Sequence, residues 1–387
     1  MYSDCTQIFL TFLSQTYSPT NDLTMKHYLP VAVIALAVAI SCQKNDLKTE
    51  ATPTETAMAK GRPGTTGPAF FQRCAAHEVL QRQIAENPER GRRLDELERF
   101  IQEKVNQAKG KPPGTGGGGG NGGGGGGSIT PGGTPIYSIP VVVHVVLKDP
   151  SIVTQTQIQS QIDVLNRDFQ RKNTELNSSV YLAGYDPTLV ADCQIQFTLD
   201  KVIPVVTTVT SFGTNDAVKK ASSGGSDPVN PTTALNMWVC DLSSGLLGYA
   251  QFPGGSTSTD GVVIDYQAFG TTANYTMYSE FDLGRTATHE IGHWLNLRHI
   301  WGDSRCGNDY VDDTPMHDGP NYGCPSNNDR SMCKGSVSYD MWMNFMDYSD
   351  DACMYIFSNG QKIRIDAALS LARSGYVTSL SNRYVNR

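Results

Sequence analysis

The chain has 387 residues, and 38 Asp and Glu against 31 Lys and Arg leave a formal net charge of −7. That mild acidity, without a long basic stripe, excludes a nucleic-acid binder. The length allows two domains by the usual prior, but the composition is uneven and the folded part is smaller than the length suggests.

Residues 1–24 play no part in the organisation that follows, and Met25 reads as the true start of the protein. "MKHYLPVAVIALAVAISC" has a positive end at Lys26, an apolar run from Leu29 to Ile40, and small Ser41 before Cys42. The run is too short to span a bilayer, so residues 25–41 read as a cleaved export signal. Cys42, followed by polar "QKND", is similar to the lipobox of bacterial lipoproteins, which makes it a candidate lipid anchor at an outer membrane or cell surface. Ordinary secretion is the alternative. Residues 42–67, rich in Thr, Pro and charge, have almost nothing to bury and read as a flexible tether.

Between 68 and 110 the pattern turns helical. Val79, Leu80 and Ile84, then Leu94, Leu97 and Ile101, recur at helical spacing, broken by Asn87-Pro88. This hairpin is too small to be a domain of its own. The glycine run over 111–134 cannot pack and reaches about 20–25 Å as a flexible linker.

Residues 135–387 read as one mixed α/β domain. "IYSIPVVVHVVL" is a buried strand, and Ile158, Ile162, Leu165 and Phe169 mark an amphipathic helix. Strands are expected at "CQIQFTLDKV", "ALNMWVCDL", "GYAQFP" and "GVVIDYQAF", then a helix from about Phe281–Leu283 through His293, and a long irregular tail. Cys306, Cys324, Cys333 and Cys353 crowd the tail, and in an oxidising compartment they read as two disulfides. Spacing does not choose among the three pairings, and no CxxC pair supports a second metal site.

"HEIGHWLNLRH" carries the chemistry. On a helix His289 and His293 lie about 40° apart, one turn above the other, and can grip one zinc ion. Glu290, one step round, reaches a metal-activated water. His299 lies about 240° from His293 if the helix continues, so the chain has to turn between them. Asn296 supplies a residue suited to the left-handed conformation that ends a helix. A structural zinc site would favour a fourth protein ligand, usually Cys, and would have no use for Glu290.

The motif resembles the extended zinc motif of metzincin metallopeptidases, with Asn296 where Gly is usual, and "NFMDYSDDAC" supplies Met346 for their Met-turn. "HIWGD", "DYVDDTP", "GYAQFPGG" and "GVVIDY" resemble the pappalysin family, in particular its secreted bacterial ulilysin-like and cytophagalysin-like members, over about residues 135–375. The resemblance implies a metzincin-type domain with a twisted, mostly parallel sheet, an active-site helix and an irregular C-terminal subdomain, preceded by a small helical pro-segment. It implies a zinc endopeptidase acting on polypeptides, with His289, His293 and His299 on Zn²⁺, Glu290 as general base and Tyr348 supporting the oxyanion or the metal. The strand at Gly248–Gly255 would pair with substrate, and a pocket beside Met346 would favour a basic residue after the cut, with Asp350 or Asp351 as counter-charge. Cys306–Cys333 and Cys324–Cys353 are the disulfides it implies. Ca²⁺ near Asp309, Val311, Asp312, Asp313 and Thr314 is also implied, and oxygen donors suit that ion.

Cys74, beside Arg73 in the segment 68–110, is a candidate zymogen switch, since a thiolate is a strong zinc ligand and related pro-segments use one. An unpaired bystander is the alternative. "ERGRR" (Glu89 to Arg93) offers sites for self-cleavage. Two other functions compete: a non-catalytic metal-containing surface adhesion module, which has no need of Glu290, and a hydrolase of non-peptide amides, which has no need of an edge strand.

Overall fold

The computed structural model describes residues 71–109, 136–177, 184–326 and 328–379. The start at Met25, the signal, the tether, the anchor Cys42 and the glycine linker lie outside the described residues.

A parallel sheet dominates. β1 (Tyr137–Leu147) is central, flanked by β2 (Ile195–Val206) and β3 (Leu235–Cys240), with β5 (Val262–Asp265) next and β4 (Gly248–Ala250) at the edge. β1, β2, β3 and β5 run parallel, while β4 pairs antiparallel to β5. Strands buried on both faces carry continuous apolar runs rather than alternation, which is why "VVVHVV" belongs in the middle. Ile139, Val141, Val143 and Val145 join Ile158, Ile162 and Leu165 of α3 (Gln155–Phe169) and Ile291 of α4 (Arg285–Trp294) in the main core. Val146, Trp238 and Val263 pack on the other face with Phe212 and Leu246.

The tail is less irregular than its sequence suggests. It holds a hairpin of β6 (Arg330–Cys333) and β7 (Ser336–Tyr339), a helix α5 (Asn359–Leu371) and a short strand β8 (Thr378–Ser379) beside β1. Trp301, Met341, Met343 and Ile356 give it a core of its own. Cys306–Cys333 and Cys324–Cys353 are both bonded.

The N-terminal segment forms α1 (Ala76–Glu86) and α2 (Pro88–Lys109), parted at Asn87-Pro88. α1 lies against β4 and α2 against α5. Ile101 and Val105 pack with Ala367, and Glu98 makes a two-pronged ion pair with Arg364 at 2.7 and 2.9 Å. The "ERGRR" stretch, a candidate for self-cleavage, is docked rather than extended in this form. It is helical, and buried Arg90 donates to the Phe252 carbonyl at 3.1 Å, so cutting there requires the helix to open first.

Candidate active site

α4 begins at Arg285 after Gly284, whose φ of 76° needs glycine, so the helix starts slightly later than the sequence implies. It ends in a full Schellman motif. Asn296 has φ 70°, its N–H reaches the His293 carbonyl at 2.9 Å, and the Leu297 N–H reaches the Gly292 carbonyl at 2.9 Å. The asparagine turn thus brings His299 back to the helix.

The three imidazoles converge. Nε2 of His293 lies 3.1 Å from Nε2 of both His289 and His299. Carbonyl oxygens only accept, so Nδ1 of His289 and of His293 donates, to Phe345 at 2.7 Å and to Leu297 at 2.8 Å. His299 turns its Nδ1 to the Asp303 carboxylate. Each Nε2 therefore presents a lone pair inward, and Asp303 and the two carbonyls fix the rings from outside. Three buried lone pairs at this spacing repel one another unless a cation lies between them. Tetrahedral zinc with ordinary Zn–N bonds separates its nitrogens by about 3.3 Å, so the arrangement fits that ion. Burial first, and the neighbouring imidazoles second, hold His289 and His293 well below the usual histidine range, in the neutral form that ligates.

A fourth donor stands with them. Cys74 Sγ and one nitrogen from each histidine all lie within 4.8 Å of one another, and all four residues are buried. The same sulfur donates to Glu290 Oε2 at 3.4 Å. Glu290 is fully buried, Oε1 has no hydrogen-bond partner, and burial pushes its carboxyl well above the usual range. A Cβ on Gly248 would come within 2.9 Å of the Glu290 Cγ, so β4 runs directly over the carboxylate. Met346 forms the floor, and a Cβ on Gly292 would meet its Sδ at 2.4 Å. A side chain there would have to push the methionine aside. Tyr348 stacks edge-on to His299 at 4.9 Å and donates its hydroxyl to the Cys74 carbonyl at 3.3 Å.

The stretch ahead of Cys74 lies along the sheet edge. Gln72 pairs in parallel with Leu246, and the Ala75 N–H reaches the Gly248 carbonyl at 3.1 Å. Arg73 enters a pocket beside the Met-turn, over the Phe281 ring at 4.3 Å, with Nη2 on Met354 Sδ at 3.1 Å and Nη1 3.6 Å from Asp351 Oδ1. Asp351, 1 % exposed, is no loop carboxylate in solvent. Its Oδ2 accepts from the Leu283 and Arg285 N–H groups at the start of α4, both at 3.1 Å. Asp350 is half-buried, with its N–H on the Gly323 carbonyl.

The calcium candidates are only partly gathered. Asp309 accepts from the Val311 N–H and from Thr314 Oγ1, whereas Asp313 faces away to Ser358 and Gly360 at the start of α5. Among the described residues, the Cys74 and histidine group is the only cluster of three or more His, Cys, Asp or Glu donors placed to hold a metal.

Sequence reasoning missed Asp303. It lies one helical turn's spacing after His299, inside "HIWGD", and a carboxylate at that offset was the available signal. It also faces His77 of α1 at 3.3 Å. Burial alone would raise its carboxyl, but His299 and His77 outweigh that and hold it well below the usual range.

Comparison with known proteins agrees with this geometry. The profile of the peptidase family M43, described as pregnancy-associated plasma protein-A, matches residues 225–370. An extracellular metalloprotease of Verticillium alfalfae is 32 % identical over 243 residues, 59 % of this chain and 76 % of that protein. Mirolysin in complex with a compound has a TM-score of 0.58 at 38 % identity, covering 66 % of this chain and 100 % of that one. A promirolysin mutant of Tannerella forsythia reaches a TM-score of 0.62 at 33 % identity, covering 79 % of this chain and 96 % of that one. On these matches and on its own metal-ready triad, the chain belongs to the pappalysin family of metzincin zinc metalloendopeptidases.

Proposed function

We propose that the chain is the latent form of an exported zinc endopeptidase that cuts polypeptides ahead of a basic residue, with residues 68–110 as its pro-segment. The observation that carries this reading is the place of Cys74, fourth donor at the triad and hydrogen-bonded to Glu290. One sulfur would fill the fourth position about a bound ion, and it already stands against the general base.

His289, His293 and His299 would hold the ion, which when bound supplies Lewis acidity to a water and to the scissile carbonyl. Glu290 takes the proton of the attacking water and returns it to the leaving amine. Burial raises its basicity for that task. Tyr348 sets its hydroxyl toward the cleft, where the Cys74 carbonyl now stands in for a substrate oxygen. Edge strand β4 offers main-chain pairing, which gives affinity with little side-chain selectivity.

Selectivity comes from the pocket that Arg73 fills. Its guanidinium meets Asp351 and the Phe281 face, so the segment carries its own sample of the side chain the pocket accepts. A random peptide library digested by the processed enzyme tests the whole reading. Cuts should fall before Arg and Lys and stop with a chelator, and Asp351→Asn should lower the basic preference at least about tenfold, the loss of one charge-assisted contact. Chelator-resistant cutting, or no bias at that position, would refute it.

Intact Glu290 and relatives named as metalloproteases leave the adhesion-module reading without support. The signal-like run before Cys42 and those relatives' extracellular names support export, while Cys42 as the lipid anchor rests on its lipobox-like surroundings alone. Calcium at Asp309 is proposed from the oxygen-rich stretch Asp309 to Thr314, whose donors are only partly gathered in this form. Added calcium should then raise the melting temperature, and Asp309→Asn should abolish that rise. An equal rise in both proteins would remove the site.

A further inference from the structure

Beyond Cys74 the N-terminal segment makes a second polar engagement with the catalytic domain, farther along the sheet edge than the contact of Ala75 with Gly248. Arg82 Nη2 donates to the Thr214 carbonyl at 2.8 Å and to Asp216 Oδ2 at 2.9 Å. Gln83 Nε2 reaches the same oxygen and Gln251 Oε1, each at 3.3 Å. Arg90 closes the group, donating to Gln83 Oε1 and to the Phe252 carbonyl.

The catalytic domain builds this seat at some cost. Lys219 is wholly buried, ion-paired to Asp216 Oδ1 at 2.9 Å and donating to the Thr259 carbonyl at 2.7 Å. Its ammonium also lies over the Tyr249 ring of β4 at 4.9 Å. Asp216 itself has φ 61°, a left-handed conformation unusual for a residue with a side chain. A buried ion pair is seldom worth its desolvation as a source of stability, which points to a geometric purpose. Lys219 holds one carboxylate oxygen and leaves the other, with the Thr214 carbonyl beside it, facing the segment that lies on the cleft. Two acceptors turned to one guanidinium nitrogen are suited to a cation.

We infer that Asp216 and the Thr214 carbonyl form a second subsite of the mature cleft, one that takes an arginine or lysine of the substrate on the amino side of the cut. This rests on the reading above that the Arg73 pocket takes the residue after the cut. The segment passes from that pocket, through Cys74 at the metal site, to Arg82, so the Asp216 seat lies on the opposite side of the reacting bond. Distance along the edge sets the position. The Ala75 N–H bonds the Gly248 carbonyl, and the Gln83 side chain reaches the side chain of Gln251, three residues on. At about 3.3 Å per residue of strand that is about 10 Å, or about three residues of an extended peptide. The seat therefore serves about the third residue before the cut.

The test uses processed enzyme and peptides that keep Arg after the cut, with Arg or Gln at the second, third or fourth residue before it. Arg should raise kcat/KM about tenfold at one of these positions, centred on the third, and Asp216→Asn should bring the Arg and Gln peptides to the same rate. Equal rates for Arg and Gln at all three positions with the unmodified enzyme would overturn the subsite without need of any variant. An Arg preference that survives Asp216→Asn would assign it elsewhere and overturn it equally. A failure of the underlying reading would look different: a further peptide with Gln in place of the Arg after the cut would then be cut as fast as its parent.

Discussion

Glu290→Ala is expected to lower kcat of the processed enzyme by about 10³–10⁴-fold, the range at the upper end of general-base catalysis, while the zinc content per chain stays that of the parent. The separation of effects follows from geometry. The donor cluster consists of Cys74, His289, His293 and His299, and the Glu290 carboxylate stands outside it, between the metal site and β4 at Gly248. In the unprocessed chain the same substitution should not lower stability either. Glu290 is fully buried and one of its oxygens has no hydrogen-bond partner, an arrangement that costs about 1–3 kcal/mol rather than contributing. A residue held at such a cost and not needed for the metal is there for the reaction. Kinetics on one peptide, with metal analysis of the same preparation, checks both halves. A Glu290→Ala enzyme within tenfold of the parent would sink the assignment, and so would one that had lost its zinc.

The site was legible because its rules are local. His289 and His293 share a face through helix periodicity alone, and the return of His299 follows from the left-handed Asn296, found at φ 70°. The central strand and α3 were equally plain, since unbroken β-branched runs and 3.6-residue spacing each have one main reading. What stayed hidden depends on contacts distant in sequence. α5 carries a capping box, Ser358 with Gln361, yet it has almost no amphipathic pattern because Arg364 is buried under Glu98 and the Asn296 carbonyl. The Asp216 seat lies within the short stretch Thr214 to Lys219, but its purpose shows only once Arg82 of α1 is brought against it. The same limit applied to Arg90. Its neighbourhood reads as an exposed basic run until Phe252 and Gln83 are brought against it.

The unprocessed chain with Cys74→Ala should begin to cut itself at least about ten times faster than the parent, the factor that only about 1.4 kcal/mol of lost attachment at the metal would give. Two observations set the expectation above a bystander role. The Ala76 N–H donates to Cys74 Sγ at 3.2 Å, a contact that favours the thiolate, and the residue is 1 % exposed, which excludes a thiol waiting in solvent. Burial and Glu290 raise its thiol pKa well above the ordinary value, and a bound divalent cation reverses that preference outright. Yet the gain should fall short of full activity on large proteins. Arg73 still sits on Asp351, Arg82 on Asp216, and Glu98 on Arg364, while buried Ile101 alone is worth about 2 kcal/mol against α5. The segment stays on the cleft with its plug removed. Adding Glu98→Ala to Cys74→Ala should therefore speed self-cutting further, and adding Glu290→Ala should stop it, which separates true catalysis from a contaminating protease. The time course of chain cleavage on a gel reads all three. A Cys74→Ala chain that stays whole as long as the parent, at an unchanged melting temperature, would show that latency rests on the segment's side contacts and not on the sulfur.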